Sequence, residues 1–470
     1  MFTPGIGEIA KDLGTSSENI VGATTGFVVF LGIGPLILAP LSETFGRRKL
    51  YLVCFSIFAL LQIPTALSPN VETLIAVRTV SGFFGSTTFS VVLSFSNSYL
   101  IYQLESRLRI PRRGYSKWRR NNQRHVPPQP TSVSPPPNLP PPHNSSPLTH
   151  RSGIFGWYLL GPLLGPTLGP LFGGLIVQYL GWRWIFWILT IVCAFNTIIG
   201  FLFLKETYAP VILSARKQSY QRSSSSSGEG TKYRTAGQDD RPFRTRLTES
   251  MLRPLKILFT QPIVLTMAIY QAVLFGTTYS LYTNFQAIYG EQYGFNTTQV
   301  GLMYLGPGLG FLLAVWFIVP RIDTLYNSLT RKNNNESQPE FRLPLANIGA
   351  VLIPLSLFWF GWTVEYKIHW TVTVLATVFF GLGMITIINT VQNYYIDSFS
   401  KYAASAIAAG AVFRSIVGGI MPLGAPDLFE KVGYGWGVSV FAFLSVVLSP
   451  APLLFFRYGQ YLRELFAIEL

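Results

Sequence analysis

The stretch "LAPLSETFGRRKLYL" (residues 38–52) sets one acid, one glycine and three cations between two long apolar runs. An apolar run that stops at such a turn and resumes directly behind it reads as two rods joined at a water-exposed corner. Gly46 permits a tight backbone there, and Glu43 is positioned to pair with Arg47 or Arg48. Arg and Lys at such a corner are also ordinary anchors at the cytoplasmic end of a membrane helix.

Outward from this corner the same pattern recurs. A helix needs about 20 apolar residues to cross the hydrocarbon core. Eleven runs qualify: 20–41, 50–67, 72–100, 154–179, 184–204, 261–289, 298–320, 343–362, 369–392, 403–425 and 434–457. Hydrophobic residues make up 49% of the chain and charged residues only 12%, about half the charged share of a soluble domain. The expected fold is therefore all-α, a polytopic membrane protein of about eleven spans.

The net charge of +15 is concentrated in a few connections, which fits the cytoplasmic bias of basic residues rather than a nucleic-acid groove. Arg47, Arg48 and Lys49 follow the first run, Lys205, Arg216 and Lys217 open a long central loop, and Arg321, Arg331, Lys332 and Arg342 follow the seventh run. That side is cytoplasmic, so the segment carrying Glu8, Asp12 and Glu18 lies outside, as does the sequon at Asn296. Five runs precede the central loop and six follow it. The expected organisation is a helical bundle over 1–204, a cytoplasmic linker over 205–260 and a six-helix bundle over 261–470. Paired halves around a basic linker are a common transporter plan. The unequal count leads us to expect that one helix is missing from the front, the alternative being an eleven-span chain with its N-terminus outside.

Several intramembrane residues stand out. In "LIAVRTVSGFFGS", Arg78 lies about two turns inside a span, where a charge is expensive and is usually paired or functional. The plainer reading is that it snorkels outward. Gly82 and Gly85 on the same helix allow close packing. In "GPLLGPTLGPLFGG" the pairs Gly161-Pro162, Gly165-Pro166 and Gly169-Pro170 recur every four residues and end at Gly173 and Gly174. Each proline removes a donor and is expected to kink the helix, while the glycines offer a smooth face. In the second half, Tyr270, Gln271, Tyr279, Tyr282, Asn284, Asn389, Gln392, Asn393 and Arg414 are candidates for a substrate cavity, since aromatics and amides bind varied organic molecules. Taken singly, each is better explained as an interface aromatic or an interhelix hydrogen bond than as a substrate contact. No metalloprotease, nucleophile-elbow or phosphate-loop motif occurs, and Cys54 and Cys193 give neither a disulfide framework nor a metal spacing. No enzyme activity, cofactor or metal is expected.

Together these stretches resemble the major facilitator superfamily, in particular its fungal drug:proton antiporter branch of twelve spans. "APLSETFGRR" is similar to the family's loop between its second and third helices, with Ala39 where glycine is usual. "RTVSGFFGS" is similar to the helix-four motif, and "LGPLLGPTLGPLFGG" to the helix-five antiporter motif; "LGWRWIFWI", "PEFRLP", "FWFGWT" and "QNYYIDSFSKYAASAIAA" also fit. The resemblance implies two six-helix bundles, a central cavity and alternating access, with protons exchanged for a small organic substrate. It implies a proton-coupling role for Arg78, a cytoplasmic latch at Glu43, Gly46, Arg47 and Arg48, and a leak-limiting role for the Gly-Pro helix. The expected function is proton-coupled efflux of drugs, toxins or secondary metabolites, from a plasma membrane or an internal one such as the vacuole. The alternatives are a truncated member that does not transport, or an importer of a nutrient or polyamine.

The chain departs from the family at two places. The family's first helix is expected to be missing. And where the family carries a pattern like GGGTI-x-D-x-F-P-P-x-x-R-G, this chain reads "SKWRRNNQRHVPPQPTSVSPPPNLPPPHNSSPLTHRSG" (residues 116–153). Back-translated from Trp118 and read one base later, the segment can spell "GGGTISDMFPPNQR". Residues 101–153 are accordingly expected to be a wrong reading frame, from a mispredicted or retained intron, rather than a proline-rich loop that binds a partner as a polyproline helix.

Overall fold

The computed structural model describes residues 2–87, 151–204, 206, 211–212, 243–399 and 403–466. The expectations for residues 101–150, for the end of the 72–100 run and for most of the central loop fall outside them. Among the described residues there is no strand. The helices are α1 (Ile6–Asp12), α2 (Ser17–Phe45), α3 (Arg47–Ala66), α4 (Val71–Gly85), α5 (Arg151–Leu180), α6 (Arg183–Phe203), α7 (Phe243–Thr260), α8 (Pro262–Phe285), α9 (Thr297–Met303), α10 (Leu305–Leu313), α11 (Val319–Lys332), α12 (Ala346–Glu365), α13 (Trp370–Ser398), α14 (Ala403–Leu448) and α15 (Ala451–Leu465). Eight helical stretches among the described residues are long and apolar enough to cross a membrane. The protein is a multi-pass membrane protein.

Local chemistry sets the helix ends. Ser16 accepts the N–H of Asn19 at the start of α2, and Asn70 accepts that of Thr73 at 2.9 Å at the start of α4, where Glu72 also faces the positive end of the helix dipole. Between α2 and α3 the chain turns at Gly46, with φ +93° and ψ 145°. The last apolar stretch, Ser405–Leu465, has 61 residues, several times what one crossing needs. It folds back at Gly433, where φ is +78°. Phe429 and Phe441 lie twelve residues apart, which a straight helix would separate by about 18 Å, yet their rings are 6.1 Å apart. The tenth and eleventh apolar runs are therefore two arms of one hairpin.

Helix α5 carries the three Gly-Pro pairs in one run of 30 residues. Pro162, Pro166 and Pro170 stand four apart, so the donors they remove fall along a single stripe of the i to i−4 ladder, and the other stripes remain complete.

Packing separates central from peripheral helices. In α8 and α13 67% of the apolar window is buried, against 17% in α6. The apolar side chains left exposed on α6, such as Phe195, Phe201 and Phe203, face where lipid would be. Helices before and after the central loop meet along two seams, α2 against α14, and α5 against α9, α10 and α11. Glycines allow the contact. A Cβ on Gly419 would come within 2.6 Å of the Val29 side chain, and one on Gly174 within 3.3 Å of the Thr298 Cα, while Gly32 and Gly308 face Ser415 and Thr167 in the same way.

Candidate functional site

Three clusters of polar residues sit in this frame, at one end of the helices, at the opposite end and between the helices.

At the corner that opened the sequence reading, Gly46 holds a backbone conformation that only glycine adopts readily. The backbone N–H groups of Arg47 and Arg48, the first of α3, donate to the Glu206 carboxylate at 3.2 and 3.1 Å. A Cβ on Gly46 would lie 2.7 Å from the Glu206 Oε2. The glycine thus makes room for a distant acid that caps α3 and neutralises its positive end. The Arg48 guanidinium reaches back to the Phe201 carbonyl at 2.9 Å, tying α3 to the end of α6. Glu43 lies in the last turns of α2, and its side chain is outside the described residues. The acid missed in the sequence is Glu206; its only signal was its place behind the fifth apolar run.

The second half carries a corresponding but deeper cluster. Arg342, only 1% exposed, donates from Nη1 to Asp323 at 2.5 Å and from Nε to Asp397 at 2.8 Å. Its guanidinium lies over the Tyr326 ring, 3.9 Å from the centroid. Beside it, buried Glu340 receives both Nε and Nη2 of Arg463 from α15, at 2.8 and 3.0 Å. Three helix ends and a short 3-10 turn, Pro339–Leu345, are fastened together at one mouth.

At the opposite end of the helices, Trp182 Nε1 and Arg183 Nη1 donate to Asp12 Oδ2 at 3.0 and 2.5 Å. The Trp182 hydrogen bond, then that of Arg183, holds the Asp12 carboxyl below its ordinary value. Thr297 Oγ1 donates to Glu8 at 3.4 Å, and Gln178 Oε1 accepts from the Thr298 N–H at 3.1 Å. Both contacts cross between the halves. Burial pushes the Glu8 carboxyl above its usual value.

Between the helices lie the intramembrane candidates. Arg78 is buried with 9% exposure, and does not reach the surface. Its guanidinium lies 4.7 Å from the Phe27 ring, 5.0 Å from Phe2 and 5.4 Å from Phe186. Next to it Gly82 meets the Phe27 backbone, with its Cβ position 2.9 Å from that Cα. Of the Gly-Pro residues, Gly165 faces open space, while Pro170, Gly173 and Gly174 are buried, with Pro170 and Gly174 on the seam with α9. Gly161, Pro162, Pro166 and Gly169 continue the same helix.

In the second half, Gln271, Tyr279 and Arg414 come together, with two residues that the sequence did not single out, Phe275 and Tyr395. Arg414 lies over the Phe275 ring at 4.7 Å, and its Nη1 approaches Gln271 Oε1 at 3.5 Å. Tyr279 and Tyr395 are within electrostatic range of the guanidinium. Elsewhere, Asn393 Nδ2 donates to Asn389, to the carbonyl at 2.9 Å and to Oδ1 at 2.7 Å, and Gln392 is buried one residue away. Asn284 donates to the Ser280 carbonyl within its own helix. Tyr282 meets Tyr304 edge-on, with ring centroids 5.1 Å apart, and Tyr270 lies in the apolar core. The structure thus sorts the candidates into one converging group and several whose bonds are local.

The family described as Major Facilitator Superfamily matches residues 1–100 and 143–422, and leaves 101–142 unmatched. The MFS-type transporter penM of Penicillium rubens is 33% identical over 98% of this chain and 81% of its own length. The MFS-type transporter tndD of Aspergillus flavipes is 33% identical over 99% of this chain and 78% of its own length. Among solved structures, a D-xylose-proton symporter superposes with a TM-score of 0.59, at 14% identity, covering 97% of this chain and 92% of its own.

Proposed function

The chain belongs to the major facilitator superfamily and is a transporter; we propose that it exports small organic molecules, exchanging them for protons by alternating access. The observation that carries the reading is the pair of seams between the halves. Each is built from glycine against backbone or small side chains, so the surfaces can part and rejoin without moving large side chains. The contacts through Glu8–Thr297 and Gln178–Thr298 are polar links between the halves that can break and reform as they rock, while the clusters around Glu206 and Arg342 each fasten one half to itself. Gln271, Tyr279 and Arg414 of the second half line the route, and the 1–204 and 261–470 halves are the moving bodies. Arg78, held by aromatic faces alone among the described residues, is free to change partner when a proton binds nearby.

The test uses proteoliposomes that contain the full chain and a trapped pH-sensitive dye. Adding members of a panel of amphipathic organic compounds is expected to move protons in the opposite sense to the compound. The Arg78→Gln variant, with unchanged thermal stability, is expected to lose that coupling while still binding the compound. Uncoupled flux in the wild type, or full coupling in the variant, contradicts the proposal.

A further inference from the structure

Arg414 differs from two other buried cations, Arg342 and Arg78. Arg342 has two carboxylates, and Arg78 has three aromatic faces. Arg414 is 7% exposed and has one ring and one long contact to an amide oxygen; among the described residues no carboxylate lies within 4.0 Å. A buried cation left in this condition is costly. The groups around it are not a neutralising shell. Gln271, 1% exposed, turns its oxygen towards Arg414, and its Nε2 has no partner among the described residues. Nearby, Tyr279 and Tyr395 add hydroxyls. Gly410 stands one turn before Arg414 on the same face of α14. A Cβ there would meet the Tyr395 ring at 3.4 Å and Gln271 Oε1 at 3.8 Å, so the missing side chain keeps that face open. The site therefore offers a fixed positive charge, an unused N–H donor and aromatic walls, with no counter-charge among the described residues.

We propose that this group binds an organic carboxylate, with Arg414 and Gln271 Nε2 holding the anionic oxygens and Phe275, Tyr279 and Tyr395 flanking an apolar or aromatic body. The inference rests on reading the second-half polar group as the substrate cavity, but not on proton coupling. A planar guanidinium pairs with a carboxylate through two parallel hydrogen bonds, which an ammonium or an alcohol cannot replace.

The test is competition for radiolabelled 2-naphthoate on the purified full chain in detergent, where no gradient exists and coupling plays no part. Unlabelled 2-naphthoate is expected to compete at least about tenfold better than 2-naphthylmethanol, a ratio that one charge-assisted hydrogen bond of about 1.4 kcal/mol accounts for. The corresponding ammonium is expected not to compete. Arg414→Gln is expected to lose at least about tenfold in naphthoate affinity, and Arg414→Lys to recover part of it. Gly410→Ile, which leaves the charge in place and fills the face, is expected to lose binding as well. Melting temperature is followed for each variant, so loss of fold is distinguished from loss of the site. The proposal is overturned if the wild type does not bind naphthoate, if the alcohol or ammonium competes equally, or if Arg414→Gln binds normally. It is equally overturned if chloride or phosphate competes as well as naphthoate, which would make the site an inorganic-anion site. Naphthoate binding without coupled flux in the proteoliposomes would leave this inference standing and remove the antiport reading.

Discussion

Replacing Arg342 with methionine removes the cation that separates two buried carboxylates and keeps a side chain of similar reach. Asp323 and Asp397 bond the guanidinium at 2.5 and 2.8 Å, and their side chains are only 6% and 15% exposed. Water screens the pair poorly, so the surface-pair discount does not apply. Removing one partner of a buried pair costs about 3–5 kcal/mol, because the charge left behind is neither solvated nor matched. For a unit of the second half's size, each kcal/mol lowers the melting temperature by about 2–4 °C, giving an expected fall of about 6–20 °C. The assay is thermal unfolding of the purified chain in detergent, followed by size-exclusion fluorescence. Adding Asp323→Asn and Asp397→Asn to Arg342→Met removes the stranded charges and should restore most of the loss. A fall below about 1 °C in the single variant, or a triple variant no better than the single, refutes the argument that charge burial holds this mouth together.

Gly46→Ala places a Cβ 2.7 Å from the Glu206 carboxylate at φ +93°; it should cost about 1–3 kcal/mol, read as a lower melting temperature, whereas Glu206→Gln at the normal glycine should cost less. For Asp12, the folded carboxyl titrates below the unfolded one, so its contribution is complete above the ordinary carboxylate value of 3.8 and is lost as pH falls through the lowered value. Asp12→Asn should therefore melt below the wild type at neutral pH, with the difference narrowing on acidification; a constant difference contradicts the assignment. Sequencing the transcript across residues 101–153 should show an intron boundary or a frame that restores the glycine-rich pattern, and an mRNA that encodes those residues as written ends that proposal.

The main lines of the fold were legible because the bilayer imposes a length on each apolar run. Runs such as 20–41, 50–67 and 369–392 correspond to α2, α3 and α13. The hairpin of the last two runs was also readable, since "APDLFEKVGYG" interrupts the apolar sequence just before Gly433. What sequence could not supply was partnership across distance. Glu206 stands 159 residues from Arg47, and Asp397 55 from Arg342, and no periodicity links them. The site was legible as residue types but not as a group. Gln271, Tyr279 and Arg414 were picked out alongside Asn284 and Tyr270, which the fold directs into local bonding or core. Phe275 and Tyr395 were missed because an aromatic in a membrane helix carries no signal of its own; only the convergence of α8, α13 and α14 distinguishes them.

Tyr179 and Tyr366, both more than two thirds exposed, mark the ends of one helix from each half and accept spin labels without disturbing the interior. The distance between labels at these sites, measured by double electron–electron resonance in nanodiscs at mildly acidic and mildly alkaline pH, bears most directly on the rocking of the two halves. Two separations whose populations exchange with pH are the expected result. One separation, unchanged by pH and by added 2-naphthoate, contradicts alternating access in this chain.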